Sequence, residues 1–228
     1  MTAHDIDLAA LGRYDTPTIC NALLAVAPEA ARRSTKAMLH CARPDLPPMV
    51  GFARTTIYRT VEPGVLDAEA EKAQDLEWFD YVAAGPEPRI VVVQDGDTPH
   101  AATNALFGEV MSFMHSALGC IGLVTNGAVR DVTGMAEGFQ ALYGGLAPNR
   151  ADYHRADFDC EVNVAGLYAR TDTLIHADVN GAVVVPPELV PTILEAATAI
   201  TEKEQAIIDF CRDPNVTADS FKRFWREG

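Results

Sequence analysis

The sequence predicts an α/β fold built on a mixed sheet, and three observations carry that prediction. Strand-like and helix-like segments alternate through the first half. Arg89-Ile90-Val91-Val92-Val93 is a near-continuous apolar run, the pattern of a strand covered on both faces. In the second half, short strand segments crowd together and end in a hairpin turn before a long helix. Helical crossovers first and direct turns later make a sheet of mixed direction.

The elements follow in order. Leu8 to Leu11 opens a short helical segment. Thr16 then reads as a helix cap with Pro17 in the first turn, and Ile19, Ala22, Leu23 and Val26 fall on one face. Pro28 is expected to end that helix. Residues 41–48 are proline-rich and read as a loop. Residues 51–60 alternate and are β-branched, so they read as a strand. Residues 65–82 read as a helix containing Trp78, with Leu66, Ala70, Ala73, Leu76 and Phe79 near helical spacing and Gly85-Pro86 as its stop. The strand at Arg89–Val93 ends in the turn Gln94-Asp95-Gly96-Asp97.

Residues 105–118 read as a helix capped by Gly119, and Ile121 to Val124 as the next buried strand. A short helix is expected within 132–140 and a strand at 139–143. Residues 162–165 and 174–177 are short strands, and Val179-Asn180-Gly181 turns the chain into Ala182–Val185 before Pro186-Pro187. Residues 188–211 form a long terminal helix, followed by a helical tail with Trp225. There is no internal repeat. The expectation is a single domain over 1–228, with a core at about 10–187 and a C-terminal helical extension at about 188–228.

Composition narrows the function. A net charge of −14 repels phosphate backbones, and no concentrated basic patch offsets it, so nucleic acid is not the expected partner. No run approaches the roughly 18 apolar residues of a membrane helix. The acidic, polar start lacks a cationic leader, so a cytoplasmic protein without a membrane partner is expected. Five scattered cysteines (Cys20, Cys41, Cys120, Cys160, Cys211) fit neither a disulfide framework nor a zinc knuckle, and Cys120 reads as a buried small hydrophobe. His100 and His115 are isolated, so a histidine-rich metal site is not expected and oxygen ligands would suit Mg²⁺ or Mn²⁺. Phosphate-cradling loops, the dinucleotide fingerprint and the nucleophile elbow are absent from the sequence. Lys72 lies in a helical segment rich in carboxylates, which weakens a Schiff-base mechanism.

One run stands out for chemistry. Gly108-Glu109-Val110-Met111 is followed, with twenty residues intervening after Glu109, by the adjacent pair Arg130-Asp131, just beyond an apolar strand and the turn at Gly127. A carboxylate there suits a hard cation, and a guanidinium beside it suits the carboxylate of a small anionic substrate. Gly108 admits two readings: an anion seat of backbone N–H groups, or a glycine tolerated inside an amphipathic helix. Arg130-Asp131 likewise reads either as a functional pair or as a surface residue beside a helix cap.

Taken together, three ordered motifs resemble the RraA-like family, which includes the class II 4-hydroxy-4-methyl-2-oxoglutarate / 4-carboxy-4-hydroxy-2-oxoadipate aldolases. They are Ala105–Met111, Gly122–Asp131 and His176–Pro186, with Thr16–Leu23 similar to an N-terminal segment of such proteins. The resemblance spans about residues 10–210. It implies a swivelling β/β/α domain, assembled as a homotrimer or a dimer of trimers with sites between subunits. It implies that Asp131 holds the divalent cation (Mg²⁺ or Mn²⁺), largely through its waters. Arg130 would bind the substrate's carboxylate and keto oxygens, and the N–H groups of Val110 and Met111 would seat the pyruvyl carboxylate beside Gly108. Glu109 would help position water, and Glu202 or Glu204 of a neighbouring subunit would complete the site. The implied activity is cleavage of a 4-hydroxy-2-oxo acid to pyruvate and an oxo acid, with oxaloacetate decarboxylation alongside. The family also includes a non-catalytic inhibitor of an RNA-degrading endonuclease, and a lyase of the same fold acting on another oxo or sugar acid is a further alternative. Three features depart from the aldolases: Glu109 replaces an Asp, Asn126 stands where an Asp is frequent, and residues 144–160 do not align.

Overall fold

In a computed structural model of the chain, residues 6–61, 64–97 and 101–227 are described, so His100 lies outside the described residues. Three short helices come first: α1 (Leu8–Leu11), α2 (Thr16–Val26) and α3 (Pro28–Ala31). Asp15, not Thr16, caps α2, its carboxylate accepting from the Thr18 N–H at 2.8 Å. That frees the Thr16 hydroxyl for buried His176 Nδ1, 3.0 Å away. Pro28 opens α3 rather than simply ending α2, because proline fits the first helical turn.

The elements that follow are β1 (His40–Cys41), β2 (Met49–Arg59), α4 (Ala68–Ala83), β3 (Arg89–Asp95), β4 (Ala105–Phe107), α5 (Glu109–Ala117), β5 (Cys120–Thr125), β6 (Ala128–Val129), β7 (Gln140–Tyr143), β8 (Gly145–Leu146) and β9 (His154–Phe158). The C-terminal part holds β10 (Val162–Val164), β11 (Leu167–Ala169), β12 (Leu174–Asp178), β13 (Gly181–Val184), α6 (Val190–Cys211) and α7 (Ala218–Glu227). The main sheet runs β1-β7-β5-β3-β2-β12-β13, with β9 also paired to the long β2. Strands β2, β3, β5 and β7 are mutually parallel, while β1, β9, β12 and β13 join antiparallel. The mixed sheet predicted from the sequence is therefore present.

The layering follows from the period of two along β3. Val91 and Val93 pack into a cluster with Trp78 and Val82 of α4, while Ile90 and Val92 pack against Val162, Val164, Leu167 and Ala169. Helices thus cover one face and the β10–β11 hairpin covers the other, giving a β/β/α stack. A third cluster seats α2 and the first half of α6 on β12 and β13 through Ile19, Leu23, Val183 and Ile193.

Three expectations need correction. The predicted helix at 105–118 is a strand and then a helix: Ala105, Leu106 and Phe107 are buried in a small second sheet, and α5 starts only at Glu109. Three apolar residues at the head of an amphipathic run carry no period that separates strand from helix. In α4 the buried pair is Trp78 and Val82, whereas Leu66 and Leu76 are exposed. The short helix expected within 132–140 is a single 3-10 turn at Val132–Gly134.

Arg89 holds α4 and α5 in place. Buried at the head of β3, it donates to the carbonyls of Ala84 at 2.9 Å, Gly85 at 3.0 Å and Leu118 at 2.8 Å. One guanidinium therefore satisfies the carbonyl ends of both helices, where a cation also complements the helix dipole.

Candidate active site

The small second sheet builds the site. Strands β4, β6 and β8 lie side by side and all parallel, in the order β4-β6-β8. Parallel strands deliver their C-terminal ends to one edge, where ligands of α/β sheets bind. The end of β4 leads into Gly108 and the first turn of α5. The end of β6 leads into Arg130 and Asp131. Beyond β8 the chain returns at Arg150, which bridges Ala105. Glu109 and the Arg130-Asp131 pair, separated by twenty residues in sequence, are thereby brought to one cleft of about 310 Å³. It is lined by Gly108, Glu109, Val110, Met111, Arg130 and Asp131, together with Arg150 and Tyr153.

Local geometry fixes each group. The Arg130 N–H donates to the Phe107 carbonyl at 2.9 Å, locking the two strand ends together. Asp131 holds φ +56° and ψ 33°, a left-handed conformation that costs most residues roughly 1 kcal/mol and that Asp tolerates better than most. Arg130 Nε lies 3.3 Å from Asp131 Oδ2, and both side chains are about half-exposed. Gly108 lets this pair lie against the backbone, since a Cβ there would sit 3.1 Å from Arg130 Cγ and 3.1 Å from Asp131 Oδ2. A Cβ on Gly134 would meet the Glu109 carboxylate at 2.8 Å, so Glu109 rests on the turn that follows Asp131.

The first turn of α5 offers an anion seat. The Ser112 N–H donates to the Gly108 carbonyl at 3.0 Å, closing the first helical bond. That leaves the N–H groups of Val110 and Met111 without an intrahelical partner, at the positive end of the helix. Buried Ser112 braces this turn: its hydroxyl donates to the Glu109 carbonyl at 2.6 Å and accepts from the Ala136 N–H at 2.9 Å.

His115 anchors the same helix from below. Trp78 Nε1 can only donate, so His115 Nε2 accepts from it at 3.2 Å, and the ring proton sits on Nδ1, donating to the Met111 carbonyl at 2.7 Å. Burial pushes the imidazole pKa down to about 4 from 6.5. The folded chain thus refuses a proton that the unfolded chain accepts below pH 6.5. Stability contributed by the neutral ring is complete above that pH and is lost as the pH falls toward about 4, by up to roughly 3 kcal/mol. Buried His176, also shifted down by desolvation, acts in the same direction. Urea melts should show a falling midpoint between pH 7 and pH 4.5, with a smaller fall in His115→Gln. An equal fall in both proteins would mean that His115 is not the group responsible.

The donor set fits one class of metal. Among the described residues no group of three His, Cys, Asp or Glu side chains gathers at one point. Asp131 and Glu109 alone suit a small hard cation that keeps most of its waters, not a closed zinc site. Glu202 and Glu204 lie on the exposed second half of α6 and do not line the cleft in this chain. Thiol chemistry has no support here, since burial pushes Cys120 up to about 12 and Cys160 to about 11. Arg150 and Tyr153 were not singled out in the sequence, because they sit in the segment that aligns with no motif. The only sequence signal for them was a cation and an aromatic three residues apart.

Similarity to known proteins bears on the family and the fold. A family model described as RraA-like, Aldolase/RraA, matches residues 16–184. The chain is 32% identical over 105 residues to the uncharacterized protein MJ0644 of Methanocaldococcus jannaschii, a match covering 45% of this chain and 50% of that protein. The chain thus spans about half the length of the curated relative it matches. Among solved structures it is similar to one described as novel cellulases from microbes associated with the gut ecosystem, at TM-score 0.71 and 18% identity, covering 87% of this chain and 85% of that one. It is also similar to Streptomyces coelicolor RraAS2, described as an unusual member of the RNase ES inhibitor RraA protein family, at TM-score 0.66 and 23% identity, covering 87% and 93%. At these identities the structures speak for the fold alone. The family match runs through most of the chain and takes in all three strand ends that form the cleft, and on that ground the chain belongs to the RraA-like family.

Proposed function

We propose that this chain is a divalent-metal-dependent class II pyruvate aldolase that cleaves a 4-hydroxy-2-oxo acid to pyruvate and an oxo acid, and also decarboxylates oxaloacetate. The observation that carries the reading is the convergence of the α5 N-terminus, Glu109, Arg130 and Asp131 in one cleft at the ends of parallel strands.

The chain's own groups divide the work. The N–H groups of Val110 and Met111 take the C1 carboxylate of the substrate. Arg130 donates to the carboxylate and the C2 oxygen, the atom on which negative charge grows as the C3–C4 bond breaks. Asp131, with Glu109 acting through water, would hold a cation, Mg²⁺ or Mn²⁺, which would supply further positive charge for the developing enolate. Glu109 receives the proton of the C4 hydroxyl, directly or through one water, and the C3–C4 electron pair passes into the enolate of pyruvate. Protonation at C3 completes the product. Oxaloacetate reaches the same enolate by losing carbon dioxide, so it needs the anion seat and Arg130 but no base at C4.

The site is proposed to be completed between copies of the chain in a homotrimer or a dimer of trimers. Exposed Val110, Phe113 and Met114 of α5 form an apolar strip beside the cleft, which suits a subunit contact. Glu202 or Glu204 of a neighbour would then reach the metal's waters. The same strip supports a second reading, a protein-binding regulator, because the family holds RNase inhibitors as well as aldolase-type members.

Oxaloacetate separates the two. The aldolase reading expects pyruvate release with Mg²⁺ or Mn²⁺, at least tenfold above the metal-free background and abolished by EDTA. A rate indistinguishable from that background in folded protein would favour the regulator.

A further inference from the structure

Glu109 is an exposed glutamate with several rotatable bonds, yet the reaction outlined above needs its carboxylate at one place. Among the described residues no ion pair or side-chain hydrogen bond holds that carboxylate, and Arg130 in the same cleft is paired with Asp131 instead, at 3.3 Å. What borders it is the bare Cα of Gly134. A Cβ built there would lie 2.8 Å from both Cδ and Oε2 of Glu109 and 3.3 Å from Oε1. The carboxyl group thus occupies the space that a side chain at 134 would fill.

The backbones on the two sides of this contact are braced against each other. Ser112 Oγ donates to the Glu109 carbonyl at 2.6 Å and accepts from the Ala136 N–H, two residues past Gly134, at 2.9 Å. The Gly134 N–H donates to the Asp131 carbonyl at 2.9 Å, closing its own turn. Met135 and Ala136 are buried, and the Arg43 guanidinium donates to the Met135 carbonyl. In so packed a unit the part free to move is the Glu109 side chain. The φ of Gly134 lies outside the left-handed region, so the backbone does not itself demand glycine. Glycine serves here by leaving room, and an aspartate at 109 would be one methylene short of needing it.

We infer that Gly134 is a positioning residue: by leaving room for the Glu109 carboxylate on the turn that follows Asp131, it sets the station from which that carboxylate takes the C4 hydroxyl proton. The inference rests on the aldolase reading and deepens it, since it names the backbone that places the base.

Gly134→Ala tests it, because the new methyl displaces the Glu109 carboxylate while Asp131 and Arg130 keep their side chains. Oxaloacetate is the internal reference, since its decarboxylation needs no base at C4. With Mg²⁺, the ratio of kcat for 4-hydroxy-4-methyl-2-oxoglutarate cleavage to kcat for oxaloacetate decarboxylation should fall by about tenfold or more. Adding Glu109→Asp shortens the side chain clear of the methyl, and the double variant should raise the ratio again by about threefold or more. The thermal midpoint of Gly134→Ala should not fall, since alanine loses less chain entropy than glycine on folding. A crystal structure of metal-free Gly134→Ala should show the Glu109 carboxylate moved off residue 134 with the Ser112–Ala136 bond kept. An unchanged ratio, whether both rates hold or both fall, would overturn the assignment, as would a ratio that Glu109→Asp fails to raise in the Gly134→Ala background. Either result with both substrates turned over by the unaltered chain removes only the role of Gly134. Turnover of neither substrate by the unaltered chain with either metal removes the aldolase reading, and turnover of oxaloacetate alone removes the C4 base; both take this inference with them.

Discussion

Replacing Asp131 by Asn should lower metal-dependent kcat/KM by on the order of 10³-fold while leaving the fold intact. The substitution removes one negative charge and changes almost nothing else. Asn tolerates the left-handed backbone at φ +56° as Asp does, so the turn into Val132–Gly134 should keep its shape. The 3.3 Å approach of Arg130 Nε can persist as a contact between the guanidinium and a neutral amide oxygen. What is lost is the anionic ligand proposed for the cation. Asp131→Ala would be a poorer test, because alanine pays for the left-handed conformation and confounds activity with stability. The measurement is pyruvate release over a Mg²⁺ titration, with the thermal midpoint recorded beside it. Full activity at saturating Mg²⁺ would remove Asp131 from the metal site.

Arg130→Lys should lower kcat/KM by about 10²-fold, although the charge is kept. The planar fork can address a carboxylate and a keto oxygen together, and a point charge cannot. The main loss should appear in kcat, since the C2 oxygen gains its charge only as the C3–C4 bond breaks. The Arg130 N–H bond to Phe107 belongs to the backbone and survives the change, so misfolding is not the expected cause. Unchanged catalytic efficiency would show that Arg130 is a bystander at the cleft rim.

The sequence foretold the parts of this molecule that repeat a simple period. The β3 strand is buried on both faces as its apolar run implies, and its alternating side chains divide between two core clusters. Glu109, Arg130 and Asp131 were found as a spacing, and the structure brings them to one cleft. Strands too short to show a period were not legible. β6 and β8 have two residues each and β4 three, yet these strands aim the site. Nor could Arg89 be read as more than the first residue of a strand, because its bonds reach carbonyls 4, 5 and 29 residues away. Arg150 is the clearest case: it enters the cleft through a bridge to Ala105, a pairing that no local pattern announces.

The central claim is that the cleft at the ends of β4 and β6 makes a pyruvate enolate beside a divalent cation. Pyruvate release from 4-hydroxy-4-methyl-2-oxoglutarate tests it most directly, with the unaltered chain and Asp131→Asn run side by side in Mg²⁺ and in EDTA. The account predicts steady release by the unaltered chain in Mg²⁺ only, and background rates in the other three conditions. Release that persists in EDTA, or is equal in the two proteins, would contradict it.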